Sequence, residues 1–282
     1  MDNFLDKIFF RSRNLDYISQ NLINLTHQTP AKRIFEAINT YSENSEVRYV
    51  GGCVRKIIKK EIVDDIDLAT NLKPSEVCDA LKKQDINYYE TGIEHGTITA
   101  IIDDYKYEIT SLRKDVSTDG RHAKVEFSSD WKEDAARRDF SINSIYSDKD
   151  GNLFDPYNGK KDLESGKINF IGDSENRIKE DYLRILRYVR FFLNYSNQSH
   201  DINIIKKIKK NIGGVSKLSS ERLLDEFKKL TRSNAFLKIF NDEISLELIE
   251  IIFPQLKNLE NFKKLNSYAL DNLSKVDFIF LL

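Results

Sequence analysis

This chain has few cysteines, no long apolar run and no excess of either charge. Only Cys53 and Cys78 occur among 282 residues, and without metal-ligand spacing they indicate a reducing compartment and two small core side chains. No apolar stretch approaches the roughly 20 residues that cross a bilayer, so we expect no membrane partner. Lys plus Arg (44) nearly equals Asp plus Glu (45), which excludes a global basic field and confines any nucleic-acid contact to local patches.

Two further absences concern metals and targeting. The four histidines are scattered along the sequence, which argues against a zinc site. The first residues carry early acids and lack the charged-then-apolar layout of a signal peptide, so we expect a cytoplasmic protein. The chain finishes on Phe-Ile-Phe-Leu-Leu without a capping signal, which suggests a truncated chain or an end packed into a helical body.

The secondary-structure pattern of the sequence changes near residue 160. Before it, strand and helix patterns alternate, as in an α/β layer. After it, helical periodicity dominates. The patterns predict strands ending at Tyr49-Val50 and spanning 66–70, 97–102 and 105–110, and helices at 53–60, 74–81, 180–194, 201–211 and 220–231, after a helical leader over residues 1–24.

The most informative feature is the pair Asp65 and Asp67, which follows the glycine pair Gly51-Gly52. Residues i and i+2 of a strand point to one face, so the two carboxylates would lie side by side while Ile66 faces the core. Paired carboxylates resist joint ionisation unless a cation binds them, and oxygen ligands suit Mg²⁺. A glycine turn lets a polyphosphate approach the backbone. The combination predicts metal-dependent chemistry on a nucleotide, whereas either motif alone is more often an ordinary turn.

Glu108 is the candidate third carboxylate, because a strand next to the Asp pair would bring it to the same site. The alternative is a solvent-facing acid on an amphipathic strand, and the sequence favours neither.

A second charged cluster spans residues 133–143, Glu-Asp-Ala-Ala-Arg-Arg-Asp-Phe-Ser-Ile-Asn. Arg137 and Arg138 are suited to clamping phosphate oxygens. Asp139 would fix such an arginine, and Asn143 would contact a sugar or a base. Alone, the run is more typical of a solvated helix face.

The third cluster is Glu180-Asp-Tyr-Leu-Arg-Ile-Leu-Arg-Tyr-Val-Arg190. On one continuous helix, Asp181 and Arg184 share a face at i and i+3, and Arg187 and Arg190 continue the stripe. An acceptor and a forked donor together complement the Watson–Crick edge of a base. The alternative is a Glu180–Arg184 ion pair with solvated arginines.

These motifs together resemble the class II template-independent RNA nucleotidyltransferases, the family of bacterial CCA-adding enzymes and poly(A) polymerases. The resemblance covers roughly residues 48–192, with a weaker echo at Ser-Ser-Glu-Arg-Leu-Leu-Asp-Glu-Phe from Ser219. Five motifs match in the family's order, which makes the resemblance specific. They are Val50-Gly-Gly-Cys-Val-Arg55, Asp65-Ile-Asp67, Thr91-Gly-Ile-Glu-His-Gly96-Thr, Arg137-Arg-Asp-Phe-Ser-Ile-Asn143 and Glu180-Asp-Tyr-Leu-Arg184-Ile-Leu-Arg187.

The resemblance implies an α+β fold in three parts. A mixed-sheet, polymerase-β-like nucleotidyltransferase head would span 1–150, a helical neck with the base-reading helix 151–215, and a helical body, possibly truncated, 216–282. It also implies a role for each matched residue. Metal ligands would be Asp65 and Asp67, and the nucleotide-binding residues would include Gly52, Arg55, Arg138, Asp139, Asp181, Arg184, Arg187 and Arg190. From the residues themselves, we add Gly51 and Asn143 to the nucleotide-binding set and Glu108 as a further catalytic acid. Asp181 and Arg184 would read cytosine or adenine in place of a template.

Three departures from the family pattern stand out. Lys56 occupies a position where the family usually has an acid, which would add positive charge near the metal site. The end of the same helix reads Ile57-Ile-Lys-Lys60 where the family usually has Leu-Gly. The chain also stops short of the family's usual length, which puts tRNA binding in doubt.

The expected function is Mg²⁺-dependent addition of C and A from CTP and ATP to the 3′ end of tRNA by a two-metal mechanism. The alternatives are a poly(A) polymerase, a partial CC- or A-adding enzyme, and a nucleotide- or RNA-binding relative without turnover. Residues 113–122 resemble the family's flexible loop but do not decide between these products.

Overall fold

The structure is a computed structural model that describes residues 16–117, 124–233 and 235–256. The first 15 residues of the predicted leader, part of the predicted flexible loop and the apolar C-terminal end lie outside the described residues. Described residues of Met1–Ser111 with Tyr146–Phe154 form one compact unit, and those of Leu112–Ile145 with Asp155–Leu282 form a second. Among the described residues, no helix is both long and apolar enough to cross a membrane.

In the first unit, seven strands of the described chain form one mixed sheet in the order β3-β4-β5-β2-β1-β8-β9. Strands β2 and β5 pair in parallel, and the other neighbours are antiparallel. The strands are β1 (Val47–Val50), β2 (Ile66–Thr70), β3 (Asn87–Gly92), β4 (Thr97–Ile102), β5 (Tyr105–Ser111), β8 (Tyr146–Ser147) and β9 (Leu153–Phe154). The strands predicted at 66–70 and 97–102 are confirmed, and β5 extends one residue beyond the prediction.

Four helices of the described chain belong to this unit, and they are α1 (Tyr17–Gln28), α2 (Ala31–Asn39), α3 (Gly52–Ile58) and α4 (Pro74–Lys83). The alternation of β2 places Ile66 and Leu68 in the core, where they are 7% and 0% exposed. Tyr49 lies in the same core, with its ring 4.9 Å from that of Phe35. Burial of apolar side chains on alternate strand positions therefore fixes which face of the sheet carries the polar ones.

The second unit is mainly helical. It contains the hairpin of β6 (Arg113–Ser117) and β7 (Lys124–Phe127). Its helices in the described residues are α5 (Trp131–Arg137), α6 (Gly159–Ser165), α7 (Ser174–Glu180), α8 (Leu183–Tyr195), α9 (Ile202–Asn211), α10 (Ser220–Thr231) and α11 (Glu243–Ile252). The buried Phe140 packs against two other rings of this unit, with ring centroids 4.7 Å from Phe170 and 5.4 Å from Phe191.

One helix prediction is wrong. The predicted helix 180–194 is two helices, because α7 ends at Glu180 and α8 begins at Leu183. Asp181 between them is extended, at φ −153° and ψ 105°, and its side chain accepts a hydrogen bond from the Leu183 amide at 3.1 Å. A short acidic side chain competes for backbone N–H groups in this way, which favours helix boundaries over interiors. Asp181 therefore lies before the helix that carries Arg184.

Candidate active site

A glycine corner joins β1 to α3. Gly51 has φ +69°, a conformation that costs glycine little and strains other residues. A Cβ placed on Gly52 would lie 3.9 Å from Oδ2 of Asp67. The turn and this carboxylate are therefore neighbours, and the absence of a side chain at Gly52 leaves the backbone open beside the acid.

Cys53 at the same corner is a core residue, as expected. Its side chain is 0% exposed, and burial, together with the charge of Asp67, raises the pKa of the thiol to about 12. It is therefore no nucleophile at neutral pH.

The acid pair spans the start of β2. Asp67 is half-buried inside the strand, and Asp65 is exposed and precedes the first strand residue. Glu108 is the direct cross-strand partner of Asp67 in the parallel β2–β5 pair, so the two side chains project from one face of the sheet. Glu108 also accepts a hydrogen bond from Lys106 at 3.1 Å.

The chemistry of these donors fits Mg²⁺. No cluster of three or more His, Cys, Asp or Glu side chains in the described part of the chain is arranged to hold a metal. Mg²⁺, however, is usually bound through one or two carboxylates together with substrate phosphates, rather than by an all-protein cage. The exposed Asp65 and the half-buried Asp67, which lies beside the glycine corner, match that pattern.

Two basic residues of α3 lie near this corner in sequence. The side chain of Arg55 is buried, with the residue 8% exposed. Lys56 forms an ion pair with Asp64, the residue before the acid pair. The charge of Lys56 is therefore balanced by a neighbouring carboxylate.

In the second unit, Asp139 is the centre of a buried hydrogen-bond network. One carboxylate oxygen accepts from the Phe140 amide at 2.9 Å and from Nδ2 of Asn143 at 2.8 Å. The other accepts from Nε of Arg187 at 2.7 Å and lies 2.6 Å from its Nη2. Burial alone raises the pKa of Asp139, but the charge of Arg187 and these hydrogen bonds outweigh it and lower the pKa to about 2.

Arg137 and Arg138 share a buried carboxylate. Asp134, 1% exposed, accepts from Nε of Arg137 at 2.8 Å and from Nε and Nη2 of Arg138 at 3.2 and 3.1 Å. Nη1 of Arg138 also donates to the Asn143 carbonyl at 3.3 Å. The cluster is thus not the solvated helix face that a charge run more often represents.

Asp181 and Arg184 each have partners that orient them. Oδ2 of Asp181 accepts from Nη2 of Arg222 at 2.7 Å. Nη1 of Arg184 donates to the Arg177 carbonyl at 2.7 Å and to Glu180 at 2.8 Å. A carboxylate accepts up to four hydrogen bonds and a guanidinium carries five N–H donors, so both groups retain capacity for a base edge.

Glu226 holds the two remaining arginines of the stripe. It accepts from Nε of Arg190 at 2.5 Å and lies 3.7 Å from Nη1 of Arg187. Glu226 is 2% exposed, and the side chains of Arg187 and Arg190 are 29% and 15% exposed. The Glu180–Arg184 pair does form, but the arginines of this stripe are partly buried and paired rather than fully solvated.

The roles of Asp134, Arg222 and Glu226 were not predicted from the sequence. Two of them lie in the weaker motif echo that begins at Ser219, which was the available signal. An acid on a helix whose neighbours Phe227 and Leu230 are buried needs a cationic partner, and the arginine stripe supplies it.

Comparison with known proteins agrees with these features. Residues 47–169 match the family described as "Poly A polymerase head domain". Residues 201–260 match "Probable RNA and SrmB-binding site of polymerase A".

The chain is also similar to individual known proteins. The chain is 40% identical over 228 residues to the mitochondrial CCA tRNA nucleotidyltransferase 1 of Homo sapiens, covering 79% of this chain and 52% of that protein. It is 34% identical over 243 residues to the CCA-adding enzyme of Lactobacillus johnsonii, covering 84% and 59%. The crystal structure of the Bacillus stearothermophilus CCA-adding enzyme in complex with CTP superposes with a TM-score of 0.68 at 25% identity, covering 86% of this chain and 56% of that one.

The mixed sheet, with its glycine corner beside an acid pair, has the α+β nucleotidyltransferase fold. The chain belongs to the family of class II CCA-adding enzymes and bacterial poly(A) polymerases, so the predicted fold class and the resemblance are confirmed. This family generally depends on a divalent metal. The chain spans only about half the length of the relatives it matches.

Proposed function

We propose that this protein adds C and A nucleotides from CTP and ATP to the 3′ end of tRNA. The observation that carries the proposal is that Asp67 neighbours the Gly51-Gly52 corner, where a Cβ on Gly52 would lie 3.9 Å from its Oδ2, with Glu108 in register beside it. The similarity to CCA-adding relatives at 34–40% identity supports this choice of reaction and of tRNA as the partner.

In this proposal Asp65 and Asp67 hold Mg²⁺, and Glu108 adds negative charge beside them. Bound metal supplies charge neutralisation for attack by the 3′-hydroxyl and departure of pyrophosphate. Gly52 admits the triphosphate beside the acids, and Arg55 binds it. Positioning and charge, rather than a side-chain acid or base, then provide most of the rate enhancement.

The second set of residues selects and holds the nucleotide. Arg138, Asp139 and Asn143 form part of its pocket, and their mutual hydrogen bonds support a rigid arrangement. Asp181 and Arg184 read the base, the first oriented by Arg222 and the second by Glu180.

Arg187 and Arg190 assist at the phosphates from positions that Glu226 fixes. The roles of Asp65, Asp67, Gly52, Arg55, Arg138, Asp139, Asp181, Arg184, Arg187 and Arg190 follow the family resemblance, whereas those of the remaining residues follow from their contacts.

A poly(A) polymerase is the second candidate, because the family description matched over residues 47–169 is that of a poly(A) polymerase head. A partial CC- or A-adding enzyme shares the same motifs. We propose a cytoplasmic location, as for an enzyme that processes bacterial tRNA.

The test is incubation of purified protein with Mg²⁺, labelled CTP or ATP, and tRNA that lacks its terminal nucleotides. Addition of C, C and then A supports CCA addition, and long A-tails would assign the polymerase. Nucleotide binding without incorporation would assign a non-catalytic relative. Asp181→Ala should blur nucleotide choice more than it lowers transfer, and intact selectivity would contradict base reading.

A further inference from the structure

The ion pair of Lys56 and Asp64 holds the chain between α3 and β2. It lies outside both the glycine corner and the acid pair. Lys56 lies on α3, one turn after Gly52, and its Nζ bonds Oδ1 of Asp64. Asp64 immediately precedes Asp65. The ion pair thus ties the helix that follows the glycine corner to the residue next to the first metal-ligand candidate.

The two aspartates differ in how the sheet fixes them. Asp67 lies within the ladder, opposite Glu108, with Ile66 and Leu68 also paired to β5. Asp65 lies before the first ladder pair, Ile66 with Tyr107. The sheet therefore fixes Asp65 only from its C-terminal side, and its N-terminal side depends on what holds Asp64.

The loop that leads to Asp64 already turns back on α3. The Glu61 amide donates to the Lys56 carbonyl at 2.8 Å, and Lys60 adopts φ +59°. Lys56 thus contacts the loop with its carbonyl at one end and its ammonium at the other. The lysine side chain is 25% exposed, which is low for a residue type that is normally solvated, whereas the Asp64 side chain is 71% exposed. The pair therefore lies at the surface, and Lys56 is its better packed member.

We propose that the Lys56–Asp64 ion pair positions Asp65 for metal binding. This role explains why a cation is compatible with a position beside the acid pair, since an acid at residue 56 would repel Asp64. Lys56 and Asp64 are positioning residues in this proposal, and neither contacts substrate. The inference rests on the proposed function for its activity readout but not for its metal readout.

A charge-swap cycle tests the pair. The variants are Lys56→Asp, Asp64→Lys and the double variant, which restores opposite charges with the partners exchanged. We expect each single variant to lower CMP incorporation roughly ten- to a hundredfold, as for displacement of a reacting group by about 1 Å. The double variant should recover most of the wild-type rate, because the pairing is restored.

A second readout is independent of turnover. Mn²⁺ binding, followed by electron paramagnetic resonance, should weaken in both single variants and recover in the double variant. If Lys56 acted only through its charge, Lys56→Asp would tighten Mn²⁺ binding instead. That result, or a folded double variant that fails to recover, overturns the inference.

The matched control is the exposed pair Lys32–Glu36 on α2, separated by 3.7 Å with both side chains 58% exposed. Its swap, Lys32→Glu with Glu36→Lys, should change neither Mn²⁺ binding nor incorporation. Wild-type protein that binds Mn²⁺ but incorporates nothing would refute the proposed function, while the Mn²⁺ cycle would still decide the role of the pair. Wild-type incorporation with no coupling between the two positions would refute the pair alone.

Discussion

The acids of the first unit and those of the second unit differ in their exposure and in their partners. In the first unit, the carboxylates of Asp65 and Glu108 remain accessible, and Asp67 is half-buried at a glycine corner. In the second unit, Asp134, Asp139 and Glu226 are buried and engage arginines. An acid left accessible is available to a ligand, whereas an acid buried with an arginine orients that arginine.

The largest effect should come from the accessible group. Asp67→Asn removes a charge that the proposed metal requires, and we expect CMP incorporation to fall on the order of a thousandfold, as when a preorganised electrostatic group is lost. Thermal unfolding should change little. The control is Asp103→Asn at the exposed β4–β5 turn, which tolerates Asn because its φ is +52°. Equal losses in both variants would contradict the distinction between the groups.

A substitution in the buried group should lower the free energy of unfolding. Glu226→Gln leaves Arg187 and Arg190 without their shared charge, and we expect the free energy of unfolding to fall by about 3 kcal/mol. Denaturant titration measures it. Glu247→Gln, which breaks an exposed pair with Lys209, should cost below about 1 kcal/mol. Similar costs for both would mean that burial does not set the strength of these pairs.

The pH dependence of stability should also come from the buried group. The pKa of Asp139 is lowered to about 2, below the value of about 4 in an unfolded chain. Its contribution, about 2 kcal/mol, is therefore complete above pH 4 and is lost as the pH falls toward 2. Asp139→Asn should flatten this part of the stability curve, and a slope that persists unchanged would assign it to other groups.

Arg222→Met should have a smaller and more selective effect. It removes the donor on Oδ2 of Asp181, so we expect the preference for CTP and ATP over other nucleotides to fall about tenfold, the equivalent of one hydrogen bond. Competition assays with mixed nucleotides measure it. The exposed Arg232 terminates the same helix, and Arg232→Met should leave selectivity unchanged.

The accessible acids could be predicted from the sequence better than the buried ones. Apolar alternation in Ile66-Asp-Leu-Ala-Thr70 fixed the strand limits, because a buried face admits one register. The apolar pattern of residues 180–194 led to the wrong prediction of one continuous helix. The apolar residues Leu183, Leu186 and Val189 all follow the break at Asp181, so their spacing does not indicate it. Asp181 itself was a local signal, because a short acidic side chain favours a helix boundary and here accepts from the Leu183 amide. Its partner Arg222 is 41 residues away, and contacts at that separation are not encoded in local periodicity.

The partners of the buried charged residues also could not be predicted from local sequence patterns. Asp139 and Arg187 are 48 residues apart, and only the fold of the second unit brings them together. The family resemblance named both residues, yet it gave no account of Glu226, which holds the stripe. The domain limits at 150 and 215 remain predictions.

Metal-directed cleavage can locate the ion that Asp65 and Asp67 are proposed to bind. Fe²⁺ substituted for Mg²⁺, with ascorbate and peroxide, generates radicals that cut the backbone near the bound ion. We expect cuts at residues 51–52 and 65–67, suppressed by excess Mg²⁺ and absent from the Asp65→Asn/Asp67→Asn variant. Cuts elsewhere, or cuts at these positions that survive both aspartate substitutions, would contradict this metal site.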